Sequence, residues 1–469
     1  MLKHNTFFLK SIYFALFVLF LFACSKDDSI TPDENPQGNS DTIPNDTIPT
    51  DTIPEPVSGI DFVKTYGGSG TDEAVSFVQT TDGSFVILGN TMSTDGDIVD
   101  KSTPDNDFWL LKISSTGNII WSKTFGGTDN DNAARITKTS DGGFLLSGFT
   151  TSNDGDVDSN FGFQDYWIVK VSSEGNKVWT KNFGFSGSDQ AFKAFETADG
   201  GYFITGFFDV SASGGAGNDL QRGANHGVGE YWGIRLNAEG ETLWRRYFGG
   251  SNNDRSYDAL QTADGGFLMT GTSESTDFDK TDPKGSYDYW AVRLSANGDL
   301  LWTKSYGGSE IDNSYGLTKT LDGNYIMVGD SRSNNQDVTS ARGNADAWAV
   351  KFSDGGNMIW QKSFGGTQFE TAHSIYQLSN GDLALTGNSR SEDGDLSKNY
   401  GGNDAWLFVI DSNGNLKSNE IIGGSGLDFL SEVLETSDQK LVAVGNTESN
   451  DFDIPQNRGL KDFLFVKLK

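Results

Sequence analysis

Three features of the sequence predict an all-β fold, a seven-bladed β-propeller with four antiparallel strands per blade. The first is a unit of about 58 residues repeated seven times. Its second copy reads Trp121-Ser122-Lys123-Thr124-Phe125-Gly126-Gly127, then Asp131, Asp141-Gly142-Gly143, Asp154-Gly155-Asp156 and Asp165-Tyr166-Trp167. The first glycine of the pair recurs at Gly67, Gly126, Gly184, Gly249, Gly307, Gly365 and Gly423, spaced by 59, 58, 65, 58, 58 and 58 residues. An acidic residue follows five positions later each time, at Asp72, Asp131, Asp189, Asp254, Asp312, Glu370 and Asp428. Self-similarity at such a period marks a propeller or solenoid rather than a string of domains.

The second feature is four short segments of β character per copy, at 133–139, 144–149, 166–171 and 178–183 in copy two. Ser140-Asp141-Gly142-Gly143 joins the first pair and Ser172-Ser173-Glu174-Gly175-Asn176 the last, both suited to hairpin turns. No 3.6-residue apolar period survives over ten residues, which excludes a helical solenoid. The third feature is the ends. The last copy stops after its third strand, and the missing fourth stands at 62–68, matching 121–127. The N-terminal segment is therefore expected to complete blade seven and close the ring, leaving no open edge.

In chain order, residues 1–23 read as a signal peptide. Lys3 and Lys10 precede an apolar run at 11–22, too short to span a membrane as a mature helix. Leu21-Phe22-Ala23-Cys24 resembles the lipobox of bacterial lipoproteins, which implies that Cys24 becomes the acylated, palmitate-bearing first residue of the mature chain. Cys24 is the only cysteine, so a secreted form has no internal disulfide; an incidental cysteine after a cleaved signal is the alternative. Ser25-Lys26-Asp27-Asp28 resembles the Lys-acidic export signal of Bacteroidetes surface lipoproteins. That resemblance implies an outer-membrane lipoprotein facing the cell exterior, with periplasmic retention as the alternative. Residues 24–58, with Asp41-Thr42-Ile43-Pro44 and its copies ending at Pro49 and Pro54, read as an extended tether. Its reach is on the order of 100 Å at ~3.1 Å per residue. Residues 59–469 form the propeller, which resembles the repeat propellers common among bacterial surface lipoproteins.

A net charge of −30, from 65 acidic and 35 basic residues, argues against nucleic acid or an anionic membrane surface as partner. It also keeps a surface protein soluble, and a monomer is expected. The eleven tryptophans fall at two repeat positions, opening the third strand (Trp109 in copy one) and within the fourth (Trp121), so packing between blades explains them better than sugar platforms. Leu464, Ser418 and Phe62 stand in for tryptophan and make blades six and seven the weaker part of the ring.

Two loop types should share one acidic face. Asp95, Asp97, Asp154, Asp156, Asp393 and Asp395 are candidate calcium ligands, since clustered carboxylates suit a hard cation; capping of tight turns is the competing reading. A specific ligand site is sought where the copies disagree. Three residues past the repeating acid they read Val75, Ala134, Phe192, Tyr257, Tyr315, His373 and Ser431. The next position reads Ser76, Arg135, Lys193, Asp258, Gly316, Ser374 and Glu432. From these, Arg135, Phe192, Lys193, Tyr257, Asp258, Tyr315 and His373 are the candidate binding residues of a central mouth, for a sugar or acidic saccharide. Ordinary variation at solvent positions is the competing reading. Blade three is longer than the others by seven residues, within a loop running from Val210 to His226.

The residues hold no Gly-x-Ser-x-Gly, His-Glu-x-x-His or phosphate loop. The expected function is a non-catalytic binding or interaction module, for a glycan or a protein partner. A lyase-like carbohydrate-active enzyme using His373, Tyr315 and Arg135, or a purely structural surface protein, are the alternatives.

Overall fold

The computed structural model describes residues 59–220 and 226–469. The signal peptide, Cys24 and the tether lie outside the described residues, as do 221–225 of the blade-three loop. Short β-branched and aromatic runs, cut by turns, form seven antiparallel four-stranded sheets. In blade one the strands are Asp72–Gln79, Phe85–Thr91, Asp107–Ile113 and Ile119–Phe125. The first strands of consecutive blades contact one another all the way round, which places them innermost and makes the ring complete. Closure is as the sequence predicts. Ile60–Tyr66 pairs antiparallel with Asp462–Leu468, with Tyr66 opposite Phe463, and so supplies the outer strand of blade seven.

Packing between blades repeats with the sequence. The third-strand tryptophans Trp109, Trp167, Trp232, Trp290, Trp348 and Trp406 are fully buried. Each of several meets the aromatic that precedes its counterpart on the blade before: Phe108 on Trp167 at 4.6 Å, Tyr166 on Trp232 at 5.0 Å, Tyr231 on Trp290 at 4.8 Å and Tyr289 on Trp348 at 4.7 Å. Such pairs contribute ~0.5–1.5 kcal/mol each beyond the area they bury. Towards blades six and seven the partners become Ala347 and Ala405, and blade seven offers Leu464, so that interface is aliphatic. The fourth-strand tryptophans do a different job. They lie at the outside, where Trp302 and Trp360 donate to the carbonyls of Asp354 and Ser412 in the next blade's outer hairpin. Gly356 and Gly414 in those hairpins adopt positive φ, and a Cβ on either would press into the indole at 3.2 Å.

The chain passes from one blade to the next through the Gly-Gly linker, which a buried carboxylate holds. In blade five Asp312 accepts from the Gly308 N–H at 2.7 Å and from the hydroxyls of Ser331 (2.5 Å) and Ser333 (2.9 Å). Asp72 accepts the same bonds from Gly68, Thr91 and Ser93. The first glycine of each pair sits between this carboxylate and the acid that opens the third strand. A Cβ on Gly67 would lie 2.4 Å from Asp462 and 2.7 Å from Asp72. Each linker is thus packed between two buried acids. Burial pushes Asp107 and Asp189 up to about 7, and Asp165, Asp254, Asp346, Asp404 and Asp462 up to about 6.

Two outcomes follow. Asp312→Ala leaves an N–H and two hydroxyls without their acceptor and should cost about 3 kcal/mol of stability, read by denaturant unfolding. The raised acids bind protons in the folded chain at pH values where the unfolded chain has released them. Stability should therefore increase as pH falls from 8 to 5, opposite to ordinary acid behaviour, and a thermal melt series checks the sign. Below about pH 4 the trend should reverse. There the hairpin acids lose their charge, such as Asp264, which the Thr262 hydroxyl and Arg293 hold below the usual carboxylate range.

Candidate ligand-binding site at the central mouth

Every inner strand carries a β-bulge at the same place. Pairing with the second strand passes from Ala74 to Ser76, Ala133 to Arg135, Ala191 to Lys193, Ser256 to Asp258, Ser314 to Gly316, Ala372 to Ser374 and Leu430 to Glu432. The residues passed over are Val75, Ala134, Phe192, Tyr257, Tyr315, His373 and Ser431. These are the seven where the copies disagree. A bulge re-aims a side chain without breaking the sheet. Here it turns one residue per blade toward the axis, and all seven are half-buried. Together with Arg135, Phe429 and Asn446 they line one cavity of about 290 Å³.

The cavity is lopsided. Blades three to six supply a continuous aromatic arc, with ring centroids 4.8 Å apart for Phe192–Tyr257, 5.5 Å for Tyr257–Tyr315 and 5.4 Å for Tyr315–His373. At the bulge position blades seven, one and two supply Ser431, Val75 and Ala134, while Phe429 and Asn446 of blade seven and Arg135 of blade two complete the lining. Burial holds His373 below the usual histidine range, so it is neutral at pH 7; its Nε2 lies 3.2 Å from Asn388 Oδ1. Burial, the charge of Asp330 and a bond to it push the Tyr315 hydroxyl well up. Burial also pushes Asp330 up to about 7, opposed by Arg332 and the Tyr315 bond.

Beneath the arc the next residues form a belt of charge. Arg135 meets Glu432 at 2.8 Å and lies 4.0 Å from Asp258, and Lys193 meets Asp258 at 2.5 Å. Glu432 also accepts from the Ser76 hydroxyl at 2.6 Å and the Phe77 N–H at 2.9 Å, and Asp258 from the Leu317 N–H at 3.0 Å. Two cations and two anions from blades two, three, four and seven thus cancel, and the belt reaches blades one and five through Ser76 and Leu317. Of the residues expected at the mouth, Arg135, Phe192, Tyr257, Tyr315 and His373 come together around the cavity. Lys193 and Asp258 pair with each other below it.

The aspartates named for calcium lie in three separate blades. Asp95 accepts from Ser69 N–H at 2.7 Å and Asp97 from Gly67 N–H at 3.1 Å. Asp154 takes the N–H and hydroxyl of Thr128, and Asp393 those of Thr367. Asp156 pairs with Lys177 at 2.6 Å and Asp395 with Arg342 at 2.5 Å. Among the described residues no group of three or more acids, histidines or cysteines is arranged to hold a metal. In blade three the insertion forms a short helix, Val210–Ser213, capped by Asp209, and its Gly217 carbonyl accepts the Trp232 indole N–H at 2.8 Å. His226 stacks on Phe278 at 4.6 Å, with Nδ1 3.5 Å from Glu230. A larger groove of about 470 Å³ runs along the closure seam past Lys64, Asp97 and Arg458, where Arg458 pairs with Asp97.

Sequence reasoning missed Phe429, Asn446 and the rim arginines Arg255, Arg332 and Arg390. Their columns, one past the repeating acid and one or three past the second-strand glycine, also vary between copies, and that was the available signal.

No family model matches the chain. The regulatory protein FlaEY of Caulobacter vibrioides is 22% identical over 306 residues, covering 60% of this chain and 31% of that protein. Among solved structures, a Bacteroides caccae protein of unknown function is 13% identical with a TM-score of 0.40, covering 67% of this chain and 89% of its own. A Dyadobacter fermentans protein of unknown function is 11% identical with a TM-score of 0.40, covering 87% of this chain and 98% of its own. A catalytically inactive virginiamycin B lyase of Staphylococcus aureus, solved with quinupristin, is 11% identical with a TM-score of 0.46, covering 87% and 99%. These are distant likenesses, and none extends an activity to this chain.

The charge belt should be structural. Arg135→Met strands Glu432 part-buried without its cation, Asp258 keeping Lys193, and should lower stability by roughly 2–4 kcal/mol, whereas the double variant Arg135→Met, Glu432→Met should recover part of that loss in the same unfolding assay.

Proposed function

We propose that this chain is a binding module anchored through Cys24 to the outer membrane and displayed at the cell exterior, which captures a saccharide in its central mouth. The aromatic arc of Phe192, Tyr257, Tyr315 and His373 carries this reading. Sugar rings present apolar C–H faces that stack on aromatic side chains, and four such rings stand on adjoining blades above a floor whose charges are already paired. The scaffold does not require them, since the same bulge accepts valine, alanine or serine in the other three blades. A protein partner inserting an apolar or aromatic side chain is the other ligand class the arc would accept.

The lyase reading draws on the contact between Tyr315 and the neutral His373, a pair able in principle to move a proton. Release of unsaturated oligosaccharides from a retained polymer would select it over simple binding. Calcium at the Asp95, Asp154 and Asp393 turns belongs to the same question, since chelator would abolish retention if an ion organised the loops.

Retention of the purified full-length chain in gels cast with polysaccharides, with calcium and with chelator, is the direct measurement. At least one polymer should retard it. Tyr257→Ala and Tyr315→Ala should each weaken that retention about tenfold, on the scale of one lost aromatic contact. Unchanged retention in both variants would move the site away from the mouth, and retention of nothing would end the glycan reading.

A further inference from the structure

Three arginines stand at the same rim: Arg255 in blade four, Arg332 in blade five and Arg390 in blade six. The repeat does not call for them. At the position of Arg255 the other copies carry Glu73, Asn132, Gln190, Asn313, Thr371 and Phe429. At the position of Arg332 and Arg390 they carry Met92, Thr151, Asp209, Glu274 and Glu448. Arginine therefore appears only over adjoining blades, and these are blades of the aromatic arc.

Each guanidinium lies over an aromatic ring next to the arc in sequence or space. Arg255 lies over the ring of Phe207 at 4.8 Å, and Phe207 packs on Phe192 at 6.0 Å. Arg255 also bonds to the Tyr257 hydroxyl. Arg332 and Arg390 lie 5.7 and 5.9 Å from the centre of one ring, Phe369, which is four residues before His373. Two like charges over one ring repel each other. An ion pair would relieve that, yet among the described residues none of the three arginines makes one. The Nε donors of Arg255 and Arg390 are buried with no hydrogen-bond acceptor. Other rim charges have partners of their own: Lys461 meets Glu73 at 2.7 Å and Glu448 at 3.6 Å, and Glu274 accepts from the neutral donors Tyr287 and Asn253. Asp330 is an acid on which the charge of Arg332 acts. Its buried carboxyl is engaged with Tyr315 and Asn313, and part of its population is protonated near neutral pH.

We infer that the saccharide taken at the mouth is anionic, and that Arg255, Arg332 and Arg390 receive its carboxylate or sulfate while the aromatic arc stacks its ring. The inference rests on the mouth being a glycan site. A guanidinium flat on an aromatic ring keeps its N–H edge free and in a fixed plane, which suits the two oxygens of a carboxylate or sulfate. The cations named from the sequence, Arg135 and Lys193, are consumed in the belt below. The rim arginines make no salt bridge among the described residues.

The test compares the full-length chain with Arg332→Gln, Arg390→Gln in gels cast with dextran, dextran sulfate or polygalacturonate. Arg332 is exposed and neither position is fixed by the repeat, so the variant should keep the wild-type circular dichroism and melt. A parallel melt series with sodium sulfate reads the anion site without any polymer. Expected is retention by dextran sulfate or polygalacturonate, whichever carries the matching oxyanion, at least tenfold weakened in the variant and partly restored in Arg332→Lys, Arg390→Lys. Equal retention by plain dextran, with the variant unaffected, would overturn the anionic ligand and leave the glycan site standing. No retention by any polymer, with sulfate raising the melt of the wild type more than that of the variant, would keep the anion site and remove the saccharide. No retention and no such difference would overturn both.

Discussion

The structure depends on one buried carboxylate per blade, the acid that opens each inner strand. Asp312 and its six counterparts face the linker that delivers the chain from the outer strand of one blade to the centre of the next. Without an acceptor there, the linker N–H and its companions, two hydroxyls in blades such as one and five and the Asp209 N–H in blade three, would be buried unpaired, which is costlier than losing a surface bond. Because the carboxylate fixes where the inner strand starts, it also fixes where the bulge falls three residues later. The mouth is thus assembled by a constraint that never touches it.

This arrangement separates scaffold from site. Residues that recur in all or most copies hold the ring: the Gly-Gly linker, the acids, the third-strand tryptophans and the outer tryptophans that cap neighbouring hairpins. The bulge residue takes no part in the ladder, so its side chain is unconstrained by pairing. That is why valine and tyrosine occupy the same position in different blades. The position below the bulge returns to the ladder and faces its neighbours across the axis. There charge appears only as matched partners, Arg135 with Glu432 and Lys193 with Asp258.

The ring was legible in the sequence because a propeller writes each contact seven times. The strand count, the closure of 60–66 on the final blade and the burial of Trp109 and its counterparts all follow from register alone. The mouth was half legible. Disagreement between copies picked out Tyr257, Tyr315 and His373, but it did not distinguish an upward from a downward side chain. Arg135 and Lys193 were both read as ligand contacts; Lys193 pairs with Asp258 beneath the bulge residues, whereas Arg135 pairs with Glu432 and still lines the cavity. Only pairing partners separated by more than 60 residues, such as Arg135 with Glu432, reveal that. The aspartates of Asp95–Asp97 and its repeats show the opposite ambiguity, because turn capping and metal binding use the same residue types at the same spacing.

A net charge of −30 does not prevent an anion from being held at the rim, because field and contact act over different distances. At physiological ionic strength charges more than about 8 Å away are largely screened, so most of the 65 acids are invisible to a ligand in the mouth. Close at hand the balance differs. The belt below is neutral, Glu73 and Glu448 share Lys461, and Arg255, Arg332 and Arg390 remain. The acidic surface would slow the approach of a polyanion, but it would not weaken a bidentate contact once made in a partly desolvated site. If the rim holds an anion as proposed, the acidic surface and the three arginines together would make the propeller selective by position, with the contact confined to blades four to six.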